Sequence, residues 1–379
     1  MFTFKAPTEL HWECNAAEKA VEILGSNGWN RVAIVADQGV LRSGVADQLL
    51  HELGAVEQQV FELDKTEPDI GFLDSVASEF RSLDPSVILG LGGGSAMDVA
   101  KGLSALLTNP GSAEDYQGFD LLPNPGIPLV MVPTTAGTGS EVTWTAVFTN
   151  RRTMRKLGIN SRHILPRHAL LDPDLTLSLP AAVTLSSGMD ALSHAIEAYT
   201  ARNGNAVARM MCLEAFKLLS TNLPQVLRQP KDRDARSSMQ LGSTLAGWAI
   251  FNAGTGACHS VAYALGTHCG VPHGVAIAML LPHVMRANEA KCPGLYAPLY
   301  DGVREDRDGT SSERSNGLIA LIDDVLEAGG FTTRLGDFGV GEADLNSLTE
   351  RGLELTSALS NNPADFGTAD ARSVLESVL

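Results

Sequence analysis

The chain has 379 residues, too many for one compact core, so two domains are expected. Hydrophobic residues make up 44% and charged residues 19%, which excludes a disordered chain. The formal net charge of −16 argues against nucleic acid or an anionic membrane surface as a partner.

The N-terminal "MFTFKAPTELHWEC" has no basic start followed by an apolar run, so no signal peptide is expected. No apolar stretch approaches the roughly 18–20 residues that span a bilayer. Cys14, Cys212, Cys258, Cys269 and Cys292 are odd in number and form no CxxC pair, which speaks against a disulfide framework. A reduced, cytoplasmic protein fits these features.

Taken in order, "RVAIVAD" (31–37), "SVILGLGGGS" (86–95) and "IPLVMVPTTAGTGS" (127–140) read as strands. Helical patterns lie between them at "GVADQLLHEL" (44–53) and "DIGFLDSVASEFRSL" (69–83). Strands separated by helices imply a parallel sheet covered on both faces. After "LLDPDLTLSLP" (170–180) the strand runs stop, and long amphipathic helices follow, punctuated by proline and glycine. The expected architecture is an α/β domain over 1–180 and an all-α domain over 181–379, with the substrate in a cleft where the halves meet.

"LGLGGGSAMDVAK" (89–101) follows a strand and opens a helix, where backbone N–H groups approach phosphate oxygens. Ser95 adds a hydroxyl, and Asp98 is placed in the first helical turn or at the ligand. The spacing is not the dinucleotide fingerprint, because the candidate acid, Asp37, precedes the glycines instead of following them by about 20 residues. A second loop, "PTTAGTGSE" (133–141), ends another strand and makes a shared nucleotide cleft the better reading. An acid at a strand's C-terminal end accepts ribose hydroxyls and repels a 2′-phosphate, so Asp37 favours NAD over NADP. The plainer reading of Asp37 is a cap on the turn before "QGVLRSGV".

In "GMDALSHAIEAY", Asp190 and His194 stand at i and i+4, on one helical face among apolar neighbours. His259 and His273 would lie roughly 21 Å apart on one straight helix. Gly266, Gly270 and Pro272 allow one helix to end and another to begin at His273. Folding back there would gather one carboxylate and three imidazoles around a first-row divalent ion such as Fe(II) or Zn(II), not calcium or magnesium.

Together "GGGSAMDVAK", "PTTAGTGSEVT", "SSGMDALSHAIEAY", "NAGTGACHSVAYALG" and "VPHGVAIAMLLPHV" resemble the iron-containing (group III) alcohol dehydrogenase family. The resemblance implies the dehydroquinate synthase-like fold, a Rossmann-like domain followed by a helical metal-binding domain, and interconversion of a small alcohol and its aldehyde. NAD(H) would carry hydride and a divalent metal, Fe(II) before Zn(II), would act as Lewis acid. Residue by residue it implies metal ligation by Asp190, His194, His259 and His273, and a pyrophosphate loop of Gly92, Gly93, Gly94 and Ser95. It also implies Thr134, Thr135 and Thr138 beside the cofactor, Asp37 as the NAD-preferring acid, and Lys156 at the nicotinamide ribose. Trp144, Thr145, Ile250 and Phe251 fall where substrate-pocket side chains are expected, with a plain core role as the alternative for Trp144 and Phe251. A homodimer is the smallest assembly the resemblance implies.

One position departs from the pattern. The family usually reads H-x-x-x-H here, its second histidine being a proton-handling residue and not a ligand, whereas this chain has Tyr263. A tyrosine hydroxyl can relay a proton, although its ordinary pKa of about 10 suits neutral pH less well than that of imidazole. His268 is the nearby alternative for that task. His283 is expected to pack or cap, and His11, His51, His163 and His168, which lack any partner pattern, are expected to be structural. Maleylacetate reductase and glycerol dehydrogenase-like enzymes share the architecture, and a non-catalytic nucleotide-binding scaffold is the alternative from another class.

Overall fold

A computed structural model describes residues 1–64, 67–304 and 308–379. Two compact units emerge, Ala6–Leu179, and Pro180–Leu379 together with Met1–Lys5. The first five residues therefore belong with the helical unit and not with the α/β unit. There the Lys5 N–H donates to Asn252 Oδ1, and the Asn252 amide donates back to the Lys5 carbonyl, each at 2.8 Å.

In the α/β unit the strands are β1 (Glu9–Trp12), β2 (Arg31–Asp37), β3 (Glu57–Leu63), β4 (Val87–Gly92), β5 (Gly118–Phe119), β6 (Leu129–Pro133), β7 (Thr145–Asn150), β8 (Arg155–Asn160) and β9 (His168–Leu171). Six form a parallel sheet in the order β1-β9-β6-β4-β2-β3. The central strands "RVAIVAD", "VILGLG" and "LVMVP" are almost wholly buried, as continuous apolar runs in a two-sided sheet should be. Their side chains alternate between two cores. Ala33, Val35, Ile88 and Met131 pack on one face, while Val32, Ile34, Leu89 and Val130 pack on the other.

Helices α1 (Ala16–Asn27), α2 (Gln38–Ser43), α3 (Asp47–Leu53), α4 (Ile70–Phe80) and α5 (Gly94–Thr108) cover those faces. The helical pattern expected over 44–53 begins three residues later, and a separate short helix precedes it. Asp37 caps α2, Gly44 ends it at φ +71°, and α3 starts at Asp47. A smaller sheet, β5-β8-β7, pairs β7 and β8 antiparallel.

The helical unit begins with α6 (Ala181–Thr200), α7 (Ala206–Arg228), α8 (Arg233–Ala253), α9 (Ala257–Cys269) and α10 (His273–Lys291). Further helices follow from Ala297, the longest being Ser311–Ala328. Asn205 and Asp232 cap α7 and α8 by accepting from backbone N–H groups three residues on. Residues 188–198 of α6 are all buried, so this helix is the axis of the unit. Among the described residues no helix is long and apolar enough to cross a membrane.

Candidate metal centre and dinucleotide loops

In the helical unit, α6 presents Asp190 and His194 on successive turns, α9 presents His259, and His273 is the first residue of α10. The chain turns between α9 and α10 as the glycines and proline require. Gly270 is left-handed at φ +68°, its N–H returns to the Gly266 and Leu265 carbonyls, and Pro272 caps α10. Gly274 permits the last approach. A Cβ there would stand 2.6 Å from the Ser186 carbonyl oxygen on α6, so only glycine lets the first turn of α10 rest on α6.

That contact brings the donors together. Asp190 Oδ1 lies 3.7 Å from His194 Nε2, 3.6 Å from His259 Nε2 and 3.4 Å from His273 Nε2. His194 Nε2 and His259 Nε2 are 2.9 Å apart. The Asp190 separations exceed ordinary hydrogen bonds. They match the roughly 3–3.7 Å between ligand atoms that share an ion at about 2.0–2.2 Å. Asp190 Oδ1 is buried with no hydrogen-bond partner among the described residues, a costly arrangement unless a cation completes it. The residues thus fit a first-row divalent ion, and one carboxylate with three imidazoles favours iron or zinc over calcium or magnesium.

Glu197, which the sequence reading passed over, completes the arrangement. It lies three residues after His194 on α6, is buried, and accepts from His259 Nδ1 at 2.6 Å and from the Cys258 N–H at 2.8 Å. Placing the proton on Nδ1 leaves the Nε2 lone pair facing Asp190 and His194. The signal was present in the spacing, since Asp190, His194 and Glu197 stand at i, i+4 and i+7, one stripe of a helix.

Burial works against charge here, yet the carboxylates stay ionised. Desolvation tends to raise Asp190, but the His194, His273 and His259 imidazoles hold it well below its ordinary range. Against desolvation, Glu197 and Asp190 push His259 up to about 9. Desolvation dominates at His194 and pushes it down to about 4. Two buried carboxylates facing one another's imidazoles make this place attract positive charge. Tyr263, one turn after His259, puts its ring 6.4 Å from the His259 ring and 5.4 Å from the His273 ring, centre to centre.

In the α/β unit, the C-terminal ends of β2, β4 and β6 lie side by side, carrying Asp37, Gly92 and Pro133. The chain runs outward from β2 to β3 and then crosses back to β4 on the other side. The switch point of the sheet therefore falls between Asp37 and Gly92, where such sheets bind ligands. Gly92 sits at φ +147°, and a Cβ on it would meet Asp37 Cβ at 2.8 Å and Ala96 Cβ at 2.9 Å. Gly93 caps the 15-residue α5 without a side-chain hydrogen bond, and Gly94 and Ser95 form its first turn. The 133–141 loop packs against these glycines. Thr134 N–H donates to the Gly92 carbonyl at 2.9 Å, Thr135 lies against Gly93, and Thr138 lies against Gly94 while its Oγ1 accepts from the Ser140 N–H.

The comparisons with known proteins agree with this geometry. Residues 7–173 match the sequence profile described as "Iron-containing alcohol dehydrogenase", and residues 184–379 match "Fe-containing alcohol dehydrogenase family, C-terminal". The chain belongs to the iron-containing alcohol dehydrogenase family. Its relatives include the 1,3-propanediol dehydrogenase of Citrobacter freundii, 40% identical over 283 residues that cover 74% of this chain and 73% of that protein. The sulfoacetaldehyde reductase of Bilophila wadsworthia is 34% identical over 288 residues, 75% of this chain and 74% of that one. A crystal structure of 1,3-propanediol oxidoreductase superposes over 100% of both chains with a TM-score of 0.94 at 33% identity. The sulfoacetaldehyde reductase of Bifidobacterium kashiwanohense, solved in complex with NAD+, gives 0.90 at 28% identity over 100% of this chain and 98% of that one.

In this iron-containing alcohol dehydrogenase the other expected residues have neighbours of their own. Asp98 lies in the second turn of α5 and turns inward. It accepts from Ser140 Oγ at 2.7 Å and from the Val147 N–H at 3.0 Å, beside the fully buried Lys101. Lys101 donates to Ser140 Oγ, Thr143 Oγ1 and the Thr145 carbonyl, and burial pushes it down to about 8. Asp98 thus helps to hold the 133–141 loop through Ser140 and joins it to β7 through Val147.

Asp37 Oδ1 accepts from the Gly39 and Val40 N–H groups, so the capping role weighed for it is real, while Oδ2 has no partner among the described residues. Lys156 Nζ lies 2.9 Å from Glu67 Oε2. His268 is not brought to the metal centre. Nine residues beyond His259, at about 100° each, it falls on the far side of α9. There Nδ1 lies 2.8 Å from Thr267 Oγ1 and 3.1 Å from the Ala264 carbonyl. Trp144 packs its ring 6.5 Å from Phe119, and Thr145 Oγ1 donates to Asn160 Oδ1. Ile250 is partly buried against a small cluster that includes Ala198 and Cys212, and Phe251 is partly buried on α8.

Proposed function

We propose that this protein is an NAD(H)-linked, metal-dependent alcohol dehydrogenase acting on a small primary alcohol and its aldehyde. Asp190, His194, His259 and His273 hold one divalent ion, Fe(II) before Zn(II). The observation that carries the reading is the buried Asp190 Oδ1, faced by three imidazole nitrogens at 3.4–3.7 Å and without a hydrogen-bond partner among the described residues. Such an ion supplies Lewis acidity toward a carbonyl or alcohol oxygen, and NAD(H) supplies or accepts the hydride.

The chain's own residues do the rest. Glu197 orients His259 through its Nδ1–H. The Tyr263 Oη gives a proton to the nascent alcohol oxygen, or takes one from it in the reverse direction. Gly92, Gly93, Gly94 and Ser95 receive the pyrophosphate on the first turn of α5, with Thr134, Thr135 and Thr138 shaping the loop beside it. Asp37 Oδ2 accepts a ribose hydroxyl, and its charge disfavours a 2′-phosphate. Lys156 reaches the nicotinamide ribose by leaving Glu67. Trp144, Thr145, Ile250 and Phe251 remain candidates for the substrate pocket, and their mostly apolar character favours a small substrate. The relatives named for 1,3-propanediol and sulfoacetaldehyde support that substrate class. A cytoplasmic homodimer is the proposed setting.

The test pairs metal analysis with NADH oxidation on a panel of small aldehydes, for the wild type and His259→Ala. Metal and turnover should disappear together in the variant. A metal-free His259→Ala protein that remains fully active would remove the proposal.

A further inference from the structure

The α/β unit holds a second set of converging donors that the proposed reaction does not use. Glu9 and His11 alternate along β1 and share one face of the strand. The parallel register sets Glu9 opposite His168, the first residue of β9. Residues 157 positions apart in sequence thereby meet, with His11 Nε2 lying 3.3 Å from His168 Nδ1. The Glu9 carboxylate straddles the pair, Oε1 lying 3.6 Å from His11 Nε2 and Oε2 lying 3.7 Å from His168 Nδ1.

The two carboxylate separations are too long for hydrogen bonds. All three fall in the range expected of donors around one ion at about 2.0–2.2 Å, the signature seen around Asp190. The imidazole side chains are only 12% and 13% exposed, while Glu9 is 66% exposed, so the set is anchored inside and open outside. Two imidazoles and a carboxylate with an open side form a donor set that suits zinc and not calcium or magnesium.

We propose that Glu9, His11 and His168 form a second divalent-metal site, of the zinc class, that ties β1 to β9. Both imidazoles are suited to it. Desolvation lowers each below its ordinary value, against the pull of Glu9 on both and of Glu22 on His11, with Lys19 and, at His168, Arg167 adding to the lowering. Arg167 keeps its guanidinium over the Trp29 ring, 5.9 Å from the ring centre, where its charge has another partner. The consequence is mechanical. β1 ends the sheet order, pairing there with β9 alone through four residues, and an ion bridging the two strands adds a link where the sheet has fewest.

The experiment counts zinc in the full-length protein after chelation and reloading with Zn(II). Two ions per chain are expected for the wild type, and one for His168→Gln and for His11→Gln. His273→Gln, which strikes the first centre, should retain the ion at β1. Glu9→Gln should weaken the second equivalent by roughly tenfold while leaving the first. With Co(II) as probe, the His11 and His168 variants should each lose one of two absorbing centres. A wild type that takes a single zinc overturns the site, as do His11 and His168 variants that both keep two.

Discussion

At the scale of single residues, the proposed metal centre depends on a side chain outside the four donors. Glu197 accepts a buried 2.6 Å hydrogen bond from His259 Nδ1 and so decides which nitrogen of that ring faces the other donors. Such outer partners typically contribute 10–100-fold to metal affinity. Glu197→Gln should therefore weaken iron or zinc by that amount, read by competition with a chelator. Glu197→Asp should recover part of it, and unchanged affinity in both would reduce Glu197 to a packing residue. Tyr263 acts differently. Its ring borders both imidazoles but lies off the donor set, so Tyr263→Phe should retain the metal and lose about 10²-fold in turnover. A Phe variant with wild-type kcat would take the proton step away from Tyr263. The four donors were legible because i, i+4 spacing and a glycine–proline break are written in the chain. Glu197 was legible only to a reader who extended the stripe by another turn. The His11–His168 meeting was not legible, since it depends on which strands become neighbours in the sheet.

Elements carry these side chains, and their fit rests on a few close approaches. Gly274 is the most exacting of them, because α10 begins with the proposed ligand His273 and must lie on α6 within the very next residue. Gly274→Ala would place a methyl group 2.6 Å from a backbone oxygen that cannot step aside. We expect a loss of about 1–3 kcal/mol in stability. Metal retention should also fall, although all four ligands remain in the sequence. Denaturant midpoints and metal content check this, and an Ala variant with normal metal would show that α10 can shift without moving His273. The sequence expressed this contact only as a glycine among others. It expressed the central strands far better, as runs of Val, Ile and Leu. β3 reads "EQQVFEL", and β8 reads "RKLGIN" in a partly exposed hairpin with β7, so neither offers the apolar run by which β2, β4 and β6 were found. The hydrogen bonds of Asp98 were not legible for a related reason. Its position near the N-terminus of α5 pointed to the ligand, whereas the buried ammonium of Lys101 and the Ser140 hydroxyl draw it inward.

For the molecule as a whole, the two proposed ligands bear on different parts of the chain. An ion bound only by the folded state stabilises it by RT ln(1 + [M]/Kd), about 4 kcal/mol at a thousandfold excess over Kd. That stabilisation acts where the donors are, on α6, α9 and α10, three helices whose first shared demand is the buried charge of Asp190. Hydrogen exchange should record this directly. Loading the metal should slow exchange at the first turn of α10 and along residues 188–198. NAD+ should slow it at the 92–95 turn and in the 133–141 loop. The controls are the alternative ligand in each case and His273→Gln, which should lose the metal response of α10 while keeping the response of the glycine turn to NAD+. If chelation leaves α10 as protected as before, the four donors do not share an ion, and the reading of this chain as a metal-dependent dehydrogenase goes with them.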